Sequence, residues 1–308
     1  MINNFYYPSS DKETTIHAME WIPEGDVRAI LQISHGMVEH ISRYERFASY
    51  LNQYGIYVVG NDHLGHGESV TGDDKHGYFH HPDGNQCVIA DIHKLRRITA
   101  EKYPDRPYFV LGHSMGSFLI RQYLMMHGEG LAGAIIMGTG SQPGPVLMAG
   151  KSLCKFLSLF HGWNYRSSLA NSMAFSSNNK RFEPARTPYD WLTRDESIVD
   201  IYMKDPWCTF VFTLNGFYEM FKGIQFIQSK SNIDKIPKDC PLLIVSGRDD
   251  PVGNYGKGVR KVVHDYRKAG IRDIRMRLYK DDRHEILNEL DYEKVYRDIR
   301  VWLLHYAN

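Results

Sequence analysis

Three polar side chains on separate stretches of the chain have the types and the order that acyl-group chemistry needs. Ser114 lies in "YFVLGHSMGSFLIRQYL", flanked by Gly112 and Gly116. Residues 108–111 are a short apolar run, and beyond Ser114 the apolar residues Phe118, Leu119, Tyr123 and Leu124 recur at helical spacing. The spacing predicts a sharp strand-to-helix turn over Gly112, His113, Ser114, Met115 and Gly116, with glycines where neighbouring backbone must come close. Such a turn presents the serine hydroxyl at a helix N-terminus, where the following N–H points at the group under attack. A serine hydroxyl is a poor nucleophile at neutral pH, so a histidine must take its proton and an acid must orient that histidine.

Fifteen histidines compete for the role of base. Two later apolar runs are each followed by a candidate partner. After "PLLIVSG" come Arg248, Asp249, Asp250, Pro251 and Val252; after "IRMRLY" come Lys280, Asp281, Asp282, Arg283, His284 and Glu285. This gives the chain order serine, aspartate, histidine, with each on a loop after a strand. Asp250 is preferred to Asp249 because Pro251 holds the preceding backbone extended and so fixes the direction of its side chain. His284 is the expected base. An oxyanion needs a second N–H besides that of Met115. After "AILQIS" come His35, Gly36 and Met37, where the glycine lets the loop fold back toward the serine, and the Met37 N–H is the expected second donor.

These loops need a scaffold. "TTIHAMEWI" and "RAILQIS" read as an opening antiparallel pair, and "IYVVGN", "PYFVLG", "AGAIIMG", "PLLIVSG" and "IRMRLY" as short runs of the kind buried in a parallel sheet. Amphipathic stretches fall between and after them, over 43–54, 88–103, 114–127, 258–269 and 292–306. The alternation predicts an α/β fold, a mostly parallel central sheet with helices on both faces and a site beyond the carboxyl ends of its strands. Residues 141–236 break the rhythm. They contain no convincing strand but carry helical stripes at Leu153, Phe156, Leu157, Phe160 and Trp163, and at Phe210, Leu214, Phe217, Phe221 and Ile224, separated by a Ser/Asn-rich stretch that reads as loop. The expected organisation is a core of 1–140 and 237–308 with a helical cap, 141–236, inserted over the sheet edge. Most of the cap's aromatic residues should pack against the core. Those left over, for which Phe156, Phe160 and Phe217 are the candidates, should line a pocket for an apolar substrate.

Composition removes other classes. With 308 residues, 43% of them hydrophobic, the chain can bury a large core. Thirty-seven basic and 36 acidic side chains leave a net charge of +1, which gives nucleic acid no electrostatic footprint. Cys87, Cys154, Cys208 and Cys240 are widely spaced and suit a reducing compartment, and the expectation is a soluble cytoplasmic protein without leader peptide or membrane span. Asp62, His63 and His66 in "DHLGHGES" lack the helical spacing of a zinc pair; with Glu39 and His40 they are expected to hold loops by local hydrogen bonds, and His113 to pack under the elbow. Neither a G-x-G-x-x-G nor a phosphate loop occurs, so neither metal nor cofactor is expected.

Taken together, "SHGMVEHISRYERFASYLNQYGIYVVGNDHLGHGES", "GHSMGS", "WLTRDESIVDIYMKDPWC", "GRDDPVGNYGKGV" and "RHEILNE" resemble the α/β-hydrolase-fold serine hydrolases that include monoacylglycerol lipases and bacterial lysophospholipases. The resemblance runs in order over nearly the whole chain. It implies Ser114 as nucleophile, Asp250 as acid, His284 as base and the Met37 and Met115 N–H groups as oxyanion donors, under a mobile cap over an acyl-binding channel. The expected activity is hydrolysis of single-chain lipid esters, with transient contact between cap and membrane surface. The alternatives are a short-chain or aromatic-acid esterase, an acyltransferase or peptidase using the same three residues, and a non-catalytic binding module.

Overall fold

The computed structural model describes residues 1–307. The apolar runs become strands of one eight-stranded sheet: β1 (Ile2–Pro8), β2 (Thr15–Trp21), β3 (Ala29–Ser34), β4 (Ile56–Asn61), β5 (Tyr108–His113), β6 (Gly133–Met137), β7 (Leu242–Gly247) and β8 (Ile274–Tyr279). The order across the sheet is β1-β2-β4-β3-β5-β6-β7-β8. β3 to β8 pair in parallel, and only β1 and β2 run antiparallel to their neighbours.

Two strand expectations change. "TTIHAMEWI" pairs with β1 and β4 rather than with "RAILQIS". β3 is buried along its whole length and sits between the parallel strands β4 and β5, which leaves no place for an antiparallel neighbour. The partner overlooked was β1, a mostly exposed edge strand whose Asn3, Asn4 and Pro8 dilute its apolar signal. "IRMRLY" is a parallel strand but not a buried one: β8 closes the opposite edge, and its Arg275, Met276 and Arg277 face solvent.

Ten helices complete the described chain: α1 (Glu45–Asn52), α2 (Gly84–Lys102), α3 (Met115–His127), α4 (Gly144–His161), α5 (Ser168–Phe175), α6 (Glu196–Lys204), α7 (Leu214–Ile227), α8 (Lys230–Ile233), α9 (Lys257–Lys268) and α10 (Tyr292–Tyr306). The period-2 alternation of the strands sends Tyr108 and Val110 of β5 into one core with α2, α3 and α9, and Phe109 and Leu111 into the other with α1 and α10. The sheet is thus sealed on both faces, and its carboxyl ends are where loops are free to carry chemistry.

Between β6 and β7 the chain forms helices and no strand. α4 packs on α7, and α7 packs on α2 and α3. Leu214 and Phe217 accordingly belong to the same buried cluster as Leu119 and Tyr123 of α3. The Ser/Asn-rich stretch read as loop contains α5, started by the Ser167 hydroxyl, which accepts from the Ala170 N–H at 3.3 Å. Serine and asparagine favour helix caps as well as loops, so composition alone could not separate the two.

Candidate active site

β5 ends at His113 and α3 begins at Met115, which leaves Ser114 alone in the turn at φ 53° and ψ −118°. A side chain rarely adopts that backbone, and here the surroundings enforce it. The Ser114 N–H donates to the Met137 carbonyl at 3.0 Å, and the Ser114 carbonyl accepts from the Ser117 hydroxyl at 2.6 Å. A Cβ on Gly116 would strike the carbonyl oxygens of Ser34 and His35, and one on Gly112 would strike the Gly116 carbonyl. The close crossing over the end of β3 requires glycine at 116, and the tightness of the turn itself requires it at 112.

His284 Nδ1 donates to Asp250 Oδ1 at 3.0 Å, and both residues are buried. The same Asp250 oxygen accepts from the Val252 N–H at 2.9 Å, and the other from the Ser246 hydroxyl at 3.1 Å. Burial alone would raise the Asp250 pKa; the His284 charge and hydrogen bond, with the other two donors, lower it instead. Asp249 points outward, 3.6 Å from Arg181. With Nδ1–H given to Asp250, Nε2 is the ring nitrogen left to accept a proton. Ser114 and His284 line one cavity. Gly36 and Met37 line it too, and a Cβ on Gly36 would lie 3.2 Å from that of Ser114, so the loop after β3 passes directly against the serine. The Met115 side chain is buried in the core while its backbone opens α3.

Beneath the serine lies a buried charge cluster that the sequence did not disclose. Arg43 Nη1 donates to Glu39 at 2.7 Å, and Nη1 and Nη2 each donate to Glu285 at 2.8 Å. Glu39 also accepts from Tyr44 at 2.9 Å and from the Gly36 N–H. His113 sits between Glu39, 3.2 Å from Nδ1, and the His284 carbonyl, 3.3 Å from Nε2. A carboxylate and a carbonyl both accept, so the two contacts favour the protonated ring. Its pKa is raised: burial opposes the charge, but the Glu39 hydrogen bond and carboxylate outweigh it. Burial would likewise raise Glu39 and Glu285, yet Glu39 is held well below the usual range by its His113 hydrogen bond and by Arg43, and Glu285 is lowered by Arg43. Arg43, His113 and two carboxylates thus tie the Gly36 loop, the elbow and the His284 loop together. The only cues in the sequence were the i, i+4 spacing of Glu39 and Arg43 and the place of Glu285 beside His284.

The cavity holds about 340 Å³. Phe175, Trp191, Leu192 and Phe210 give it apolar walls, with Asn171 and Asn179 among its polar groups. Phe156, Phe160 and Phe217 are not on it. Phe156 and Phe160 are 59% and 69% exposed on the outer face of α4, whose inner face buries Leu147, Gly150 and Cys154, and Phe217 is fully buried in the core. The apolar stripes named helix faces, but half of the lining comes from α5 and from the segments around 188–192 and 208–211, which show no helical stripe to read.

Asp62 is consumed locally, accepting from the Ile41 N–H at 2.8 Å and bonding His17 at 2.8 Å, while His63 meets Ser34 at 3.1 Å. His40 reaches further than a local loop contact, bonding Asp205 of the segment between β6 and β7 at 2.8 Å. Two groups among the described residues gather donors at metal-like spacing. In His40, Asp205 and Cys208 the imidazole and carboxylate already satisfy each other, and in Asp282, Glu289 and Asp291 the Arg194 guanidinium supplies the cation. Burial, then Glu289 and Asp291, push the Asp282 pKa up to about 8. An unfolded aspartate loses its proton near pH 4, so this group costs the fold stability as pH rises from there to about 8, by up to about 1.4 kcal/mol per pH unit. Asp282→Asn keeps an acceptor for Arg194 and removes the titration. Urea melts should therefore show a flatter pH dependence over this window than wild type and a more stable variant at pH 8; parallel curves would contradict the assignment.

Comparison with known proteins adds three findings. The sequence profile of the serine aminopeptidase, S33, family matches residues 25–291. Human monoglyceride lipase is 27% identical over 297 residues, 92% of this chain and 84% of that one, and the monoacylglycerol lipase of Mycolicibacterium smegmatis is 26% identical over 92% and 91%. The crystal structure of a thermostable carboxyl esterase from Bacillus coagulans superposes with a TM-score of 0.93 at 29% identity, covering 100% of this chain and 99% of that one. No helix among the described residues is long and apolar enough to cross a membrane.

Proposed function

Because this chain belongs to the serine aminopeptidase, S33, family of α/β-hydrolase-fold serine hydrolases, we propose that it hydrolyses single-chain lipid esters, monoacylglycerols or lysophospholipids, through an acyl-enzyme on Ser114. The observation that carries the reading is a cavity with aromatic walls onto which Ser114 and a histidine bonded to a buried aspartate both open. His284 Nε2 takes the Ser114 proton as the hydroxyl attacks the ester carbonyl, and Asp250 stabilises the imidazolium. The oxyanion is met by the N–H groups of Met37 and Met115. The alcohol leaves with the proton from His284, and water then repeats the sequence on the acyl-enzyme.

The cavity also argues for an ester over a peptide N-terminus. Glu39 and Glu285 are the carboxylates of its lining, and both are held by Arg43, which leaves an α-ammonium without a free counter-charge there. A more open space of about 410 Å³ shares Asn171, Ser172, Phe210 and Val211 with the cavity, giving a long acyl chain a path outward. Val146, Met148, Phe156, Leu159 and Phe160 form an exposed apolar face on α4, which supports transient contact of the cap with a lipid surface. The four free cysteines support a reducing compartment such as the cytoplasm.

The test is a substrate panel of p-nitrophenyl esters from acetyl to palmitoyl, 1- and 2-monoacylglycerol and lysophosphatidylcholine. The expected result is kcat/KM at least about tenfold higher on medium or long single chains than on acetyl, about 1.4 kcal/mol of transition-state binding from the apolar walls. A maximum at acetyl or butyryl with no lipid turnover would assign a small-ester hydrolase instead.

A further inference from the structure

We propose that Arg194, contributed by the cap, is a positioning residue for His284, fixing the loop that carries the base so that this part of the cap and the base move as one unit. The inference rests on the reading of His284 as base.

The segments that carry these residues, "WLTRDES" and "DDRHEILNE", are far apart in sequence and run against each other in the fold. The His284 N–H donates to the Trp191 carbonyl at 3.4 Å and the Glu285 N–H to the Leu192 carbonyl at 2.7 Å. The Thr193 hydroxyl donates to the Asn288 carbonyl at 2.9 Å. Arg194 closes the contact: Nη2 donates to Asp282 at 2.8 Å and to Asp291 at 2.6 Å, and Nε donates to Glu289 at 2.8 Å. In the reverse direction Arg283 donates to the carbonyls of Asp190 and Thr193. The Trp191 ring lies 4.9 Å from that of His284.

Charge gives Arg194 its weight in this contact. The Asp282 and Glu289 side chains are fully buried and Asp291 is half exposed, so three carboxyl groups converge on one guanidinium. Asp282 Oδ1 accepts from Arg194, which ties that buried carboxyl to the cap. Without the guanidinium, buried acids face one another uncompensated and the loop must open to hydrate them. His284 lies two residues from Asp282. On its other side it is held by the core, through Asp250 and through Glu285 on Arg43. The base is therefore gripped between core and cap, and Arg194 is the charged part of the cap's side of that grip.

The test compares wild type with Arg194→Gln and Arg194→Lys in the full chain. It measures kcat and KM on the best ester of the panel, the rate of labelling by a fluorophosphonate, and the pH profile of both. Labelling needs the serine and its base but no lipid. The expected result for Arg194→Gln is a loss of about 10- to 100-fold in kcat and in labelling rate, the scale of a misplaced reacting group, with KM within about twofold. The apparent pKa of the acid limb should move, and Arg194→Lys should recover part of the rate. Unchanged kcat, labelling and pH profile in folded Arg194→Gln would overturn the proposal, as would a loss that Arg194→Lys shares in full. If Arg194→Gln does not fold, Asp291→Asn, which removes the exposed ligand, is expected to show the same split at smaller size, and no change there would count against it. Wild-type protein that fails to label would instead refute the reading of Ser114 and His284.

Discussion

Ser114→Ala lowers kcat on ester substrates by about 10⁴-fold or more while the melting temperature stays within a few degrees of wild type. The change removes one oxygen and nothing that holds the elbow. The φ of 53° is enforced by the Met137 carbonyl and the close crossing over β3, and alanine has the same Cβ to place there. The proposed oxyanion donors and the cavity walls remain, so KM should change little and a residual rate above the uncatalysed one should survive. Steady-state kinetics with active-site titration checks this. A variant that keeps even a tenth of the activity would place the nucleophile elsewhere.

Arg43→Met destabilises the protein by about 3–5 kcal/mol, the cost of breaking a buried ion cluster from one side. Arg43 is mostly buried and serves two carboxylates, so its loss strands Glu39 and Glu285, with His113 left as the ionic partner of Glu39 alone. Both acids now have lowered pKa values, which stabilise the fold above the unfolded carboxylate range near pH 4.5 and lose that contribution as pH falls through the folded values. In the variant the sign reverses: the stranded acids take up protons, and acidification from neutral toward pH 5 relieves part of the damage. Urea melts at pH 5 and pH 7.5 measure both effects. Adding Glu39→Gln and Glu285→Gln should recover part of the loss, because it is the uncompensated charge that costs most. A stability loss under about 1 kcal/mol would show that solvent reaches the cluster freely.

The scaffold was legible because parallel strands buried on both faces are written as unbroken apolar runs, as in "YFVLGH" and "LLIVSG", and because helices between them keep their period. Ser114 stood out because its glycines answer a local steric demand. Asp250 could be preferred to Asp249 because a proline acts on its immediate neighbour. What escaped notice depends on contacts between distant segments. Arg43 with Glu285 is 242 residues apart, and Arg194 with Asp282 is 88, and no local pattern records either. The cavity lining was misassigned for a related reason. Periodicity shows which residues of a helix share a face, but whether that face meets the core, the substrate or the solvent is decided by what lies opposite. Phe156 and Phe217 sit on comparable stripes, one in water and one in the core.

The burial of α7 against α2 and α3 bears on how this fold can be recombined. Exchanging the whole segment between β6 and β7 with that of a relative would replace Leu214 and Phe217, and with them part of the wall that α3 and the nucleophile elbow lean on. A graft confined to α4 and α5, with its downstream seam before Asp190, would carry across the exposed apolar face and the α5 part of the cavity wall while leaving Leu214, Phe217 and the clasp on His284 native. The natural cassette for shuffling substrate preference is thus smaller than the insertion itself.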